Sequence, residues 1–279
     1  MSRRVVVLSP GGRFAAEVLA RLEERGRAAD ALLVYRPDLA RDWRGAPPAD
    51  RRPFRAPLFV GRWLAGRARD RFGARLRAGA RRAVFTGPLN GPRMRRDLER
   101  LRPDAVVLAR CGLVSPEVLA VPADGVVNVH PALLPWIRGN NPLGNSLLRG
   151  TPLGATAFRV DAGIDTGRIL ERRLVAVAGY ETAAGLRDAL HRVWVEMTVD
   201  WIVAAGAAPL PTGEPQTARF PLCRTLSTPA ELAAVDEAVR SGAAGALFDR
   251  WRPLCGPDLA LAPGVHPEPV PHAVPPARP

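Results

Sequence analysis

Short aliphatic runs, each closed by a turn and followed by a helical pattern, constrain this chain most. Arg4-Val5-Val6-Val7-Leu8-Ser9 reads as a buried strand, and Pro10-Gly11-Gly12 ends it in a turn. From Phe14 to Leu22 apolar residues recur at helical spacing, through Val18 and Leu19. Asp30 to Tyr35 is a second strand. A strand-helix-strand opening favours a parallel sheet, and two further apolar runs, Pro103 to Ala109 and Gly125 to His130, extend the pattern. The expected fold is α/β, a Rossmann-like, mostly parallel sheet flanked by helices, with a short irregular C-terminal extension. Gly11-Gly12 stands at a helix start, where it serves either as a tight turn or as a cradle of free N–H groups for a phosphate.

Domain boundaries follow from length and from proline. A chain of 279 residues with 47% hydrophobic content can build one substantial core plus an extension. Residues 1–205 are read as the main domain, ending in a helix over Glu181 to Ala205 with Leu186, Leu190, Val193, Trp194, Met197 and Trp201 at helical spacing. Pro209, Pro211 and Pro215 then break regular structure. Within the extension, 206–256, one helix is expected from Thr228, with Glu231 three residues on as a capping box. The proline-rich stretch 257–279 is expected to be a poorly ordered tail.

Chemistry concentrates at the end of the Gly125 to His130 run. Alternation along a strand sends Asn128 and His130 to one face while Val127 and Val129 take the other, and Pro131 stops the ladder. An imidazole can take or relay a proton near neutral pH, and an asparagine amide can donate to an oxygen that becomes negative. Asp165, in Ile164-Asp165-Thr166-Gly167, adds a carboxylate that could orient the imidazole or hold a proton-carrying water. The competing reading makes each a capping or loop residue. The four histidines and three cysteines have no metal-ligand spacing, so no metal is expected.

Three ordered blocks extend this pattern: Asn128-Val-His-Pro-Ala-Leu-Leu-Pro135-Trp-Ile-Arg138-Gly139, then Gly154-Ala-Thr156, then Val160-Asp161-Ala-Gly163-Ile-Asp165-Thr-Gly167. Together they resemble the core signature of the folate-dependent formyltransferases, across about Arg102 to Leu170. The resemblance implies transfer of a formyl group from 10-formyltetrahydrofolate to a primary amine, with Asn128, His130 and Asp165 as the catalytic trio. It casts Asn128 and a protonated His130 as stabilisers of the formyl oxygen, and Asp165 as a helper in moving a proton from the amine to N10 of the folate. It also places the donor against the loop Arg110, Cys111, Gly112, Leu113 and Val114, and against Val160, Asp161 and Gly163. An aromatic residue is more usual in the family where Cys111 stands, and a small buried thiol is the competing reading there. Phe158 occupies a position where some members carry a histidine near the acceptor, which weighs against a glycinamide ribonucleotide role.

The acceptor is approached by length and charge, which pull apart. Methionyl-tRNA formyltransferases carry a β-barrel after the catalytic domain, and this chain has neither the room nor the alternating pattern for one. A small amine, such as an amino sugar nucleotide, is therefore the expected partner, ahead of methionyl-tRNA. The net charge of +13 comes from arginine alone, since the chain has no lysine. Arginines crowd Arg51 to Arg82, inside a basic insertion at about 45–83, interleaved with Phe54, Phe59, Trp63 and Phe72. That segment is either a solvated face or a surface for RNA or an anionic membrane, the latter suiting a non-catalytic member of the fold. No apolar stretch approaches the length of a membrane span, and no secretory signal is read, so a cytoplasmic location is expected.

Overall fold

The computed structural model describes residues 3–36, 79–177, 182–217 and 220–269. Most of the basic insertion, and the tail beyond residue 269, lie outside the described residues. Seven strands make a mixed, mostly parallel sheet flanked by helices, the Rossmann-like α/β class expected. The chain divides into two compact units, Met1–Val126 with Thr198–Leu210, and Val127–Met197 with Pro211–Pro279.

In the first unit, β1 (Val5–Ser9) lies between β2 (Ala31–Arg36) and β4 (Ala105–Leu108), and β2 pairs with β3 (Ala83–Pro88), all in parallel. Every residue of β1 and β4 is buried, which explains why these strands read as unbroken aliphatic runs rather than alternating ones. Helix α1 (Gly12–Glu24) buries Phe14, Val18, Leu19 and Leu22, the stripe its spacing predicts. Gly11 and Gly12 both have φ near +90°, a conformation open to glycine, and the Gly11 N–H is already taken by the Ser9 hydroxyl at 3.0 Å. That favours the tight-turn reading over a phosphate cradle. Helices α2 (Pro92–Leu101) and α3 (Pro116–Leu119) flank β4 in sequence.

The second unit is antiparallel. Strand β5 (Gly125–His130) pairs with β6 (Gly154–Arg159), and β6 with β7 (Ile169–Leu174). Helix α4 (Pro142–Leu148) lies between β5 and β6 in sequence. The long helix α5 (Ala183–Ala207) begins in this unit, burying Leu186, Leu190 and Met197, and the Trp194 indole N–H donates to the Val129 carbonyl of β5 at 2.8 Å.

Two expectations for the C-terminal region are corrected. The capped helix is present as α6 (Pro229–Arg240), with Thr228 and Glu231 forming the complete capping box, but a second helix, α7 (Ala243–Trp251), follows it. Its start carries Gly242 and alanines rather than a polar cap, so only its buried face of Leu247, Phe248 and Trp251 marks it. Residues 257–269 are not loose either. Leu174 N–H donates to Leu259 O, Leu261 N–H donates to Arg172 O, and the Leu261 side chain is buried. The described prolines spare backbone acceptors for such bonds while removing only their own donors. Among the described helices none is long and apolar enough to cross a membrane.

Trp251 anchors the core of this unit. It is fully buried, packs edge-on against Trp136 with centroids 5.1 Å apart, and has no hydrogen-bond partner for its indole N–H among the described residues. Its contribution is therefore burial and ring contact. Trp251→Ala is expected to destabilise the protein by about 3–5 kcal/mol. Trp251→Phe should cost clearly less, because it removes the unpaired N–H along with part of the ring. Urea denaturation midpoints at constant m-value check both; equal losses would show that the indole N–H is satisfied.

Candidate active site

The site begins with the strand alternation of β5. Val127 and Val129 are buried in the sheet, and Asn128 and His130 alternate with them, so both face the same way. His130 is 6% exposed, an unusual degree of burial for a titratable ring. Its Nε2 lies 3.0 Å from the Ile137 carbonyl oxygen. A carbonyl can only accept, so Nε2 carries the hydrogen, and in the neutral ring Nδ1 is left with its lone pair. Nδ1 faces the Asp165 carboxylate, with Oδ2 at 3.7 Å.

Asp165 is delivered by a loop whose every turn is tied. The Asp161 carboxylate accepts from Gly163 N–H at 3.0 Å and from the Thr166 hydroxyl at 2.6 Å, closing the loop on itself. Gly167 follows because a Cβ there would lie 1.6 Å from the Arg159 carbonyl oxygen. The Arg138 guanidinium donates through Nε and Nη2 to the Ile164 carbonyl at 3.0 and 2.8 Å, and Gly139 N–H donates to Asp165 Oδ2 at 2.8 Å. Asp165 itself sits at φ +52°, an uncommon conformation for a residue with a side chain.

The motif block Gly154-Ala-Thr156 has a structural role that spacing alone did not assign. Thr156 is buried, donates to Ala132 O at 2.8 Å and accepts from Leu134 N–H at 3.0 Å, which fixes the chain just after His130. Phe158 is a core residue, packed with Leu134 and Ile169 and with Val160 at the margin. Val160, Asp161 and Gly163 thus belong to the frame that carries Asp165.

Arg110, Cys111, Gly112, Leu113 and Val114 follow β4 in the other compact unit. Leu113 is 54% exposed, a large apolar side chain presented to solvent. The loop is held by Asn90, whose amide donates to Leu113 O and whose carbonyl accepts from Ser115 N–H, both at 2.8 Å. Cys111 donates its S–H to the Leu8 carbonyl, and burial pushes its thiol well up from the ordinary range. It is a packed thiol rather than a nucleophile.

Sequence reasoning missed Ile137, Arg138 and Gly139 as functional neighbours, and Asn90. The first three lay inside the motif block, but Ile137 and Gly139 act through main-chain groups that have no side-chain signature to read, and the partner of the Arg138 guanidinium is a main-chain carbonyl. Among the described residues no group of three or more His, Cys, Asp or Glu side chains could hold a metal, and none hydrogen-bonds the Asn128 amide.

Electrostatics oppose one part of the expectation. Burial lowers the His130 pKa from its ordinary 6.5, while the Asp165 charge and the Ile137 carbonyl raise it, and burial prevails. The resting ring is therefore neutral, not protonated. A neutral imidazole with Nδ1 open toward a carboxylate can receive a proton and have the resulting cation stabilised.

Part of this chain is similar to known proteins. Residues 70–202 match the family model described as formyl transferase. That match takes in a little under half of the chain and contains Asn128, His130 and Asp165. The methionyl-tRNA formyltransferase of Xylella fastidiosa (strain 9a5c) is 37% identical over 134 residues, 47% of this chain and 43% of that protein. The chain thus spans less than half the length of that relative. Among solved structures, a protein from Mycobacterium tuberculosis superposes with a TM-score of 0.52 at 17% identity, over 85% of this chain and 87% of that one. A sugar N-formyltransferase from Shewanella sp FDAARGOS_354 gives 0.50 at 14% identity, over 86% and 87%. At these identities the likeness is one of fold.

The buried histidine couples stability to pH. With the folded pKa below 6.5, the unfolded chain binds more protons at His130 as pH falls through 6.5, so this residue makes the protein less stable on acidification. Replacing it by an uncharged residue of similar polarity, His130→Gln, should flatten the fall in unfolding free energy between pH 7.5 and the folded pKa. Denaturation midpoints taken across that window test it; a slope unchanged by the substitution would place the titration elsewhere.

Proposed function

We propose that this chain is an N-formyltransferase that moves a formyl group from 10-formyltetrahydrofolate to the primary amine of a small molecule, with an amino sugar nucleotide as the acceptor class. The observation that carries this reading is the neutral, buried His130 with Nε2 committed to Ile137 O and Nδ1 turned to Asp165, on the same strand face as the Asn128 amide, which no described residue hydrogen-bonds. The donor supplies an activated formyl carbon. When the acceptor amine attacks that carbon, a proton must leave the nitrogen and negative charge must develop on the formyl oxygen. His130 Nδ1 takes the proton, and Asp165 stabilises the imidazolium so formed. The Asn128 amide donates an N–H to the charged oxygen. Return of the proton from His130 to N10 of the departing tetrahydrofolate restores the neutral ring and balances the transfer.

The loop after β4 supports the choice of donor. An exposed Leu113 on main chain pinned by Asn90 suits the face of a flat heteroaromatic ring, and neighbouring backbone groups suit its polar edge. The likeness to methionyl-tRNA formyltransferases gives a specific reason to test a tRNA acceptor beside small amines.

Mixing the protein with 10-formyltetrahydrofolate and a panel of amino sugar nucleotides, other small amines and methionyl-tRNA, and following tetrahydrofolate release, tests the reading. Release is expected with at least one small amine. His130→Ala and Asp165→Asn should each lower kcat by about 10²- to 10⁴-fold, with smaller changes in the donor KM. The rate should rise with pH as His130 loses its proton and level off above a midpoint below 6.5. No release with any acceptor, or release undiminished in His130→Ala, would overturn the assignment.

A further inference from the structure

The arm that follows α5, residues 211–217, is strapped along the start of β7 and the loop before it. Glu214 and Ile169 exchange both main-chain hydrogen bonds at 2.7 Å, and Arg168 Nε donates to the carbonyls of Thr212 and Gly213 at 3.0 Å each. A Cβ on Gly213 would lie 2.8 Å from Ile169 O, so the arm is seated closely. The Glu214 carboxylate pairs with buried Arg172 at 3.0 Å and with His266 at 2.5 Å, which secures the arm through side chains as well. Gln216 stands two residues further on. Its Nε2 lies 3.1 Å from the Asp165 carbonyl and 2.7 Å from the Gly167 carbonyl.

A primary amide has two N–H donors, and both are committed to this one turn. With the Ile164 carbonyl held by Arg138, three carbonyls of the Ile164–Gly167 segment are gripped from outside it. This external grip matters because Asp165 holds φ +52°, where a side-chain-bearing residue stays only if its surroundings enforce it. We propose that Gln216 is a positioning residue: by fixing the main chain of the Asp165–Gly167 turn it sets the Asp165 carboxylate opposite His130. The inference rests on the formyl-transfer reading for its kinetic consequence, not for its geometry. Gln216 lies outside the segment that matches the formyl transferase family, residues 70–202, so the arm contributes to the site from beyond it.

Gln216→Met keeps the length of the side chain, adds no charge and removes both donors. In it kcat is expected to fall roughly ten- to a hundredfold, as for a reacting group misplaced by about 1 Å, while the donor KM stays within about twofold. Because Gln216 acts through Asp165, Gln216→Met should cause no further loss in an Asp165→Asn background. The His130 titration, followed by NMR and assigned with His130→Gln, should also shift in Gln216→Met, since the carboxylate facing Nδ1 moves. A loss that multiplies in the double variant, or a His130 midpoint equal to that of the unsubstituted protein, would overturn the proposal. If the unsubstituted protein transfers no formyl group, the activity reading fails, and the His130 midpoint alone decides the positioning role in the same way. Should Gln216→Met not fold by circular dichroism, Gln216→Asn replaces it, since its amide is one methylene too short to reach both carbonyls.

Discussion

Three consecutive residues, Ile137, Arg138 and Gly139, hold both halves of the candidate site. The Ile137 carbonyl takes the His130 Nε2 hydrogen, the Arg138 guanidinium grips Ile164 O, and the Gly139 N–H takes Asp165 Oδ2. The histidine and the aspartate come from different parts of the chain, and this short stretch is the common ruler against which each is set. It is itself fixed from two sides. Thr156 pins the chain at Ala132 and Leu134, while Cys223 and Arg138 share a main-chain bond at 2.7 Å. Each of these contacts has a main-chain group at one end or both, inside a packed unit where a misplaced donor or acceptor would be left unpaired at considerable cost.

This dependence explains which features were legible in the sequence. Strands β1 and β4 were readable because burial on both faces demands continuous aliphatic runs, and Val5–Val7 and Val106–Val107 supply them, whereas the half-exposed β3 has no such run and does not read as a strand. The shared face of Asn128 and His130 was readable because strand alternation has no exceptions within an unbroken ladder. What remained hidden was bonding through the backbone. Nothing in the letters Ile137 and Gly139 says that their carbonyl and N–H serve the site. The Ala-rich α7 was equally silent, since its start lacks a polar cap and tertiary burial of Leu247, Phe248 and Trp251 decides it. The ordered stretch near Leu261 was obscured by its prolines, which argue for irregular backbone but not against anchoring.

The protonation state of His130 follows from a competition that sequence cannot weigh. A carboxylate neighbour ordinarily raises an imidazole pKa, and the family resemblance likewise implied a protonated ring. Burial acts on the same equilibrium in the opposite direction and is the larger influence here. The 3.7 Å separation from Oδ2 is too long for a direct hydrogen bond, so Asp165 offers charge without a full bond at rest. A base needs this imbalance: empty before the reaction, and favoured once a proton arrives.

The same competition bears on why the aspartate is fixed from outside its own loop. Oδ2 already accepts from Gly139 at 2.8 Å, so it cannot swing to meet His130 without breaking that bond. A carboxylate free to rotate would close on the imidazole and tie it up in a direct ion pair, and a more distant one would lose its influence on the cation. Holding the intermediate distance requires the loop backbone to be rigid at Ile164, Asp165 and Gly167, and those are the three carbonyls that Arg138 and Gln216 engage. Arg138 comes from the motif that also carries His130, whereas Gln216 comes from the arm that Glu214 fastens to Arg172 and His266. The C-terminal extension is therefore bonded directly to the loop that carries Asp165, through Gln216.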